Sequence, residues 1–107
     1  YAAEKYLAES EVFENQIMDA SVPGVVYIWN AVDTASRDLL PVIEDFEKEH
    51  GSNIKVTKVD IYKSTGIASR LGISAVPSVA FIQNGKLAGV LTGQITRQAL
   101  EDGLIHM

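Results

Sequence analysis

Residues 25–36, VVYIWNAVDTAS, hold the pattern from which the architecture of this chain can be worked out. The run from Val25 to Trp29 is continuously apolar, and most of its side chains are β-branched or aromatic. Such a run is typical of a central strand that is covered on both faces. We therefore expect this strand to form the middle of the core, with a short turn and a helix after it.

The helix is predicted from Thr34 to Glu49, because apolar side chains recur at helical spacing and charged side chains mark the opposite face. Pro41 lies inside this helix. An internal proline removes a backbone hydrogen bond and clashes with the preceding turn, which costs about 3 kcal/mol unless the helix bends. The sequence therefore predicts a kink near Leu40.

Strands and helices alternate along the rest of the chain, as expected for a sheet with helices on its faces. On the N-terminal side, the sequence predicts a weak strand at Lys5–Ala8 and a short helix that Ser10 caps and that ends before the turn at 21–24. After the long helix, the sequence predicts a strand at 54–61 and a helix at 64–71 that Gly72 closes. Strands at 78–83 and 87–92 follow, joined by a turn at Asn84-Gly85. The final helix is capped by Thr96 and runs to Leu104.

The composition suits one globular domain over residues 1–107, with 47% hydrophobic and 21% charged residues. The formal net charge of −5 makes nucleic acids and anionic membranes poor partners, since both would repel an acidic surface. No apolar run approaches the ~20 residues that a membrane-spanning helix needs. We therefore expect a soluble domain, and we favour the cytoplasm although the compartment stays open.

Several residues that punctuate the predicted elements resemble those of the thioredoxin family in order and spacing. They are Trp29 at the end of the central strand, Pro41 in the helix, Lys58, the dipeptide Val76-Pro77, the Asn84-Gly85 turn and Gly93. The resemblance covers nearly the whole chain and is weakest before Phe13. It implies an α/β thioredoxin-like fold, in which a central mixed sheet of four or five strands is flanked by about four helices and the Val76–Pro77 peptide is cis.

The main departure from the family is the absence of cysteine. Asp33-Thr34-Ala35-Ser36 stands where the family has Cys-Gly-Pro-Cys. Thiol–disulfide exchange requires a thiolate and a second sulfur, and neither Asp33 nor Ser36 supplies one. Val32 also replaces the tryptophan that is usual before the first thiol, and Tyr27 stands where many members bury an aspartate. We therefore interpret the chain as a naturally redox-inactive relative and expect no dithiol oxidoreductase activity.

Asp33 is predicted to cap the long helix through the amide of Ser36, because unpaired amides and the helix dipole favour a negative charge there. A catalytic role for this pair is disfavoured. A serine nucleophile needs an adjacent base, whereas His50 and His106 lie at the far end of a helix and near the chain terminus. Two isolated histidines also do not make a metal site. We expect no catalytic residue, no metal and no cofactor.

The candidate binding surface surrounds Pro77. With a cis peptide there, as the resemblance implies, the backbone of Ala75 and Val76 would present hydrogen-bonding groups beside Asp33, and in related proteins this edge pairs with an extended peptide. The predicted peptide-binding groove comprises Trp29, Val32, Ile73, Ala75, Val76, Pro77 and Gly93. The alternative is that Pro77 only builds the fold and that Trp29 and Ile73 fill space.

Three kinds of function stay open at this point. The favoured one is a non-catalytic interaction domain that recognises a protein or an extended peptide through the groove. The alternative is an enzyme or accessory of the thiol–disulfide systems of redox homeostasis, descended from thioredoxin, for which a partner supplies the sulfur. The third is a scaffold whose interface lies elsewhere, such as a dimer surface.

Overall fold

Within the described residues, a four-stranded mixed sheet forms the centre of the fold. The computed structural model describes residues 22–63 and 65–106, so the strand and helix predicted at 5–8 and after Ser10 lie outside the described residues. Strand β1 is Gly24–Trp29, β2 is Lys55–Asp60, β3 is Ser78–Gln83 and β4 is Lys86–Thr92. Their order is β2-β1-β3-β4, with β1 parallel to β2 and the other neighbours antiparallel. The prediction of β1 as an interior strand is confirmed.

Three helices flank this sheet within the described ranges. Helix α1 is Thr34–His50, α2 is Thr65–Leu71 and α3 is Arg97–Ile105. Helix α1 is continuous through Pro41, and the kink near Leu40 stays a prediction. No helix in the described part of the chain combines the length and apolarity needed to cross a bilayer.

The two faces of β1 are each closed by helices, which explains why its sequence is apolar throughout. Val26 and Ile28 pack towards α2, whereas Val25 and Tyr27 pack towards α1 and α3. All four side chains are fully buried. The helical side chains that cover these faces are Ile67, Ala68 and Leu71 from α2, Leu39, Ile43 and Phe46 from α1, and Leu100 from α3.

The hairpin between β3 and β4 turns at Asn84-Gly85, as predicted. Both residues have positive φ angles, 55° and 74°, which is the geometry of a type I′ turn and suits asparagine and glycine. Lys86 pairs with Gln83, so β4 begins one residue before the predicted Leu87. A tight two-residue turn leaves its flanking residues directly opposite each other, and this pairing extends the strand.

Candidate functional site

Asp33 caps the N-terminus of α1. Its side-chain oxygen Oδ2 accepts hydrogen bonds from the Ser36 amide at 2.9 Å and from the Ser36 hydroxyl at 2.8 Å. The backbone of Asp33 is extended, with φ −88° and ψ 121°, as an N-cap residue requires. The predicted cap is confirmed. A carboxylate therefore already lies at the helix terminus, where the helix dipole favours negative charge.

Ser36 and Tyr27 continue this hydrogen-bonded chain into the core. Ser36 is fully buried, and its carbonyl accepts a hydrogen bond from the hydroxyl of Tyr27. Burial raises the pKa of Tyr27 to about 12, and the negative charge of Asp33 adds to this effect. The Tyr27 hydroxyl therefore stays protonated at neutral pH, where it can donate to a carbonyl but cannot act as a proton acceptor in the way a carboxylate can.

Among the described residues, the hydroxyl of Ser36 bonds to Asp33 and to neither histidine. His50 is at the other end of α1, about 21 Å away along the helix axis at 1.5 Å per residue. Its Nε2 atom is 3.1 Å from Glu101, and the Nδ1 atom of His106 is 2.7 Å from the carbonyl oxygen of Asp102. Because the Ser36 hydroxyl is buried and bonded to Asp33, the geometry does not present it as a nucleophile to a substrate.

An open groove of about 310 Å³ lies between the first turns of α1 and the loops at Pro77 and Gly93. Its walls are mostly apolar. The lining residues are Ala35, Asp38, Leu39 and Val42 from α1, Pro77 before β3, and Gly93, Gln94 and Ile95 after β4. The Val76–Pro77 peptide is cis, and Gly93 has a φ of 88°, which favours glycine. Ala35, Pro77 and Gly93, all singled out from the sequence, therefore lie around one groove.

The other residues proposed for the groove are placed differently. Val32 is 86% exposed in the turn before α1, and Ala75 is also exposed. Trp29 is half-buried and stacks on Tyr27 with ring centroids 6.3 Å apart. Val76 is half-buried against the cluster under α2. None of these side chains lines the groove.

Ile73 needs a correction, because it belongs to the core. It is only 7% exposed and packs in the same cluster as Val26 and Ile28. Its amide donates to the carbonyl of Ala68 at 2.9 Å. Ile73 therefore packs in the core beneath the loop that leads to Pro77, and its side chain is not available to a ligand.

Buried Ser78 links the two loops that border the groove. Its hydroxyl oxygen lies 2.7 Å from the carbonyl of Ala75 and 3.2 Å from the hydroxyl of Thr92. The Ala75 carbonyl, one of the backbone groups expected to face a peptide, thus has a partner within the chain. The same contacts hold the Pro77 loop against the end of β4, from which Gly93 continues.

The model of the family described as Thioredoxin matches residues 4–106. This chain belongs to the thioredoxin family. Thioredoxin from Rickettsia bellii is 30% identical over 88 residues, which are 82% of this chain and 84% of that protein. Thioredoxin 1 from Synechococcus elongatus is 23% identical over 86% of each chain. The chloroplastic M-type thioredoxin of Chlamydomonas reinhardtii is 24% identical over 92% of this chain and 70% of that protein.

This thioredoxin-family chain contains no cysteine. The sulfur atoms that dithiol exchange requires are therefore absent from it. The described residues contain no group of three or more histidine, cysteine, aspartate and glutamate side chains that could hold a metal ion. The thioredoxin-like sheet is kept, with the Asp33, Ser36 and Tyr27 hydrogen bonds at the end of the α1 helix.

Lys58, a position singled out by the family resemblance, lies on the surface. Its Nζ atom is 3.4 Å from the Oε1 atom of Glu44 on α1. Asp60, two residues along β2, instead accepts a hydrogen bond from the amide of Tyr62. An exposed ion pair of this kind contributes little to stability.

A second polar cluster, which the sequence did not reveal, joins the C-terminal end of α1 to α3. Glu101 lies 3.1 Å from His50 and 3.2 Å from Arg97, and Arg97 also pairs with Glu49. The Arg97 guanidinium lies over the ring of Phe46, 5.4 Å from its centroid. Although burial acts in the opposite direction, the hydrogen bonds from His50 and Arg97 lower the pKa of Glu101. We call these residues the α1–α3 cluster.

Proposed function

We propose that this thioredoxin-family domain is a redox-inactive interaction module that binds an extended segment of a protein or peptide in the groove between α1 and Pro77. The observation that supports this most directly is the groove itself. It is open, mostly apolar and about 310 Å³ in volume, and it lies beside a helix terminus that has no thiol. A groove that cannot exchange disulfides still has the shape needed to bind an extended peptide segment.

The chemistry of the walls suits a peptide better than a small polar metabolite. Leu39, Val42 and Ile95 supply apolar surface, and Gln94 adds a side chain that can both donate and accept hydrogen bonds. Ligand sites of this kind are largely apolar and carry a few polar groups that fix orientation. Exposed Val32, beside the N-terminus of α1, adds apolar surface at the same end of the sheet.

The occupied helix terminus argues against an anionic ligand at this site. The Ser36 amide, which could have received a phosphate or carboxylate from a ligand, already donates to Asp33. A second anion there would face the Asp33 charge directly. Contact with apolar walls and backbone is what the site still offers, and these interactions are the ones that an extended peptide uses.

Amide chemical shifts would test this proposal. A ¹⁵N-labelled domain is titrated with an unlabelled, cysteine-free peptide of alternating valine and threonine. We expect saturable shifts at Ala35, Val76, Gly93, Gln94 and Ile95. Shifts confined to other surfaces, or no shifts at millimolar peptide, would reject the groove as a binding site.

A pair of matched variants sharpens the test. Val42→Lys places a charge in the groove wall, whereas Val90→Lys makes the same change at a side chain on β4 that is 41% exposed. We expect Val42→Lys to weaken peptide binding about tenfold, the effect of losing one well-packed contact of roughly 1.4 kcal/mol, and Val90→Lys to leave it unchanged. Circular dichroism checks that both variants fold.

A further inference from the structure

We propose that the groove selects a segment that carries a lysine or arginine, which it recognises through the carboxylate of Asp38. This inference rests on the proposed function, because it names the class of peptide that the same groove takes. Among the described residues that line the groove, Asp38 is the single charged side chain. The groove is therefore an apolar surface with one negative charge on its wall.

The Asp38 carboxylate is available to a ligand. It is exposed, and it has no hydrogen-bond or ion-pair partner among the described residues. Two other acidic side chains along α1 are engaged within the chain. Glu44 pairs with Lys58, and Glu49 pairs with Arg97. The charge at Asp38 is thus not neutralised by a neighbour that a ligand would have to displace.

The shape of a basic side chain matches this arrangement. Lysine and arginine can lay an aliphatic stem along an apolar surface while the charged head reaches a polar partner at its rim. Leu39, Val42 and Ile95 provide the apolar surface, and Asp38 provides the partner. An acidic side chain in the same position would meet like charge, in a domain whose formal net charge is already −5.

Three peptides that differ at one residue would test the selectivity. Each is an extended, cysteine-free peptide of alternating valine and threonine with lysine, glutamine or glutamate at its centre, and binding is measured by fluorescence polarisation. We expect affinity to fall in the order lysine, glutamine, glutamate. Each step should be about threefold to fivefold, the upper range for a solvent-accessible ion pair. The preference should shrink in high salt, because screening weakens the attraction.

Two variants separate Asp38 from the general charge of the domain. Asp38→Asn should abolish the preference between the three peptides, and Asp38→Lys should reverse it. Asp45→Lys makes the same charge reversal on the same side of α1, but two turns or about 10 Å further along, and it should keep the wild-type order. An order that changes equally with Asp45→Lys would overturn the assignment to Asp38.

The outcomes distinguish this inference from the proposed function. Equal affinity of the wild-type domain for all three peptides would overturn the inference while the interaction module stands. A preference for the glutamate peptide would overturn it as well. If none of the three peptides binds, both the inference and the proposed function fail.

Discussion

The two ends of α1 are held by different kinds of interaction. At the N-terminal end, Asp33, Ser36 and Tyr27 form a short chain of hydrogen bonds that runs into the core. At the C-terminal end, the α1–α3 cluster joins the helix to α3 through the His50–Glu101 and Glu49–Arg97 pairs and through Arg97 over the ring of Phe46. The first end borders the groove, and the second lies about 20 Å further along the helix.

This difference shows that α1 needs no thiol at its N-terminal end to be held in place. The C-terminal contacts of α1 involve none of residues 33–36 at its N-terminal end. The N-terminal end needs only a hydrogen-bond acceptor for its free amides, and a carboxylate meets that need as an N-cap. With Asp33 as its N-cap, α1 is capped at one end and anchored at the other.

The largest effect is expected from Phe46→Ala, which removes the buried aromatic ring of the α1–α3 cluster. Phe46 is fully buried and contacts both His50 and Arg97. We expect a loss of about 3–5 kcal/mol in the free energy of unfolding, as for other buried aromatic side chains cut to alanine. Urea denaturation measures it. A loss below about 1 kcal/mol would mean that α1 is not anchored at this end.

A smaller loss is expected from Gly103→Ala, which tests how closely α3 packs on the sheet. A Cβ atom at Gly103 would lie 2.5 Å from the ring of Phe81, which is 2% exposed and has little room to move. Because the ring is buried, overpacking should cost about 2–3 kcal/mol, the upper part of its usual range, and the better helix propensity of alanine returns about 1 kcal/mol, so we expect a net loss of about 1–2 kcal/mol.

Gly89→Ala is the matched control for this change. A Cβ atom there would meet nothing within 4 Å, so we expect no comparable loss in thermal denaturation. If the Gly103→Ala variant is as stable as the wild type, the Phe81 ring can shift. The packing of α3 against the sheet would then be less rigid than the contacts suggest.

Asp33→Ala tests the hydrogen bonds that cap the N-terminal end of α1. Loss of the cap should lower the free energy of unfolding by about 0.5–2 kcal/mol, because the Ser36 amide and hydroxyl lose their acceptor. Asp33→Asn keeps a side-chain oxygen at the cap and should recover most of the loss. If the alanine and asparagine variants are equally unstable, the negative charge rather than the hydrogen bonds holds this end.

The smallest effect is expected from Glu101→Gln, and it should depend on pH. The pKa of Glu101 is lowered in the folded protein from its usual value of 4.5, so the carboxylate stabilises the fold above that pH and loses this contribution as pH falls below it. At neutral pH we expect the variant to be about 0.5–1 kcal/mol less stable, as for partly exposed pairs.

The difference between wild type and Glu101→Gln should therefore shrink towards zero in denaturation curves recorded below pH 4.5. The neighbouring carboxylate of Glu49, which shares Arg97, is present in both proteins and cancels in the comparison. A difference that grows in acid would show that the sign is wrong and that the Glu101 contacts do not stabilise the folded state.

Much of the fold was predictable because its signals are local. The apolar run of β1, the Asn84-Gly85 turn and the Asp33 cap each depend on residues close together in the chain, and the structure confirms all three. Of the residues that border the groove in the structure, the family resemblance marks Pro77 and Gly93 in the sequence. Leu39 and Val42 show only the apolar spacing of a helix face there.

Nothing in the sequence indicates that Ile73 is buried or that His50 meets Glu101, and the reason is the same for both. Each depends on contact between distant parts of the chain. Ile73 sits next to the Pro77 loop in sequence, yet it is buried because β1, β3 and α2 enclose it. His50 and Glu101 are 51 residues apart and meet only because α1 and α3 pack on the same face of the sheet. No spacing within the sequence records such a contact.

The amino-acid sequence alone determined the alternation of strands and helices and the absence of a thiol, since periodicity, turn residues and side-chain chemistry are properties of short segments. Only the tertiary structure decided which side chains border the groove, which one of them carries a charge and how α1 is anchored to α3. Those outcomes depend on how sheet and helices pack, because burial and ion pairing arise when segments far apart in the chain are brought into contact.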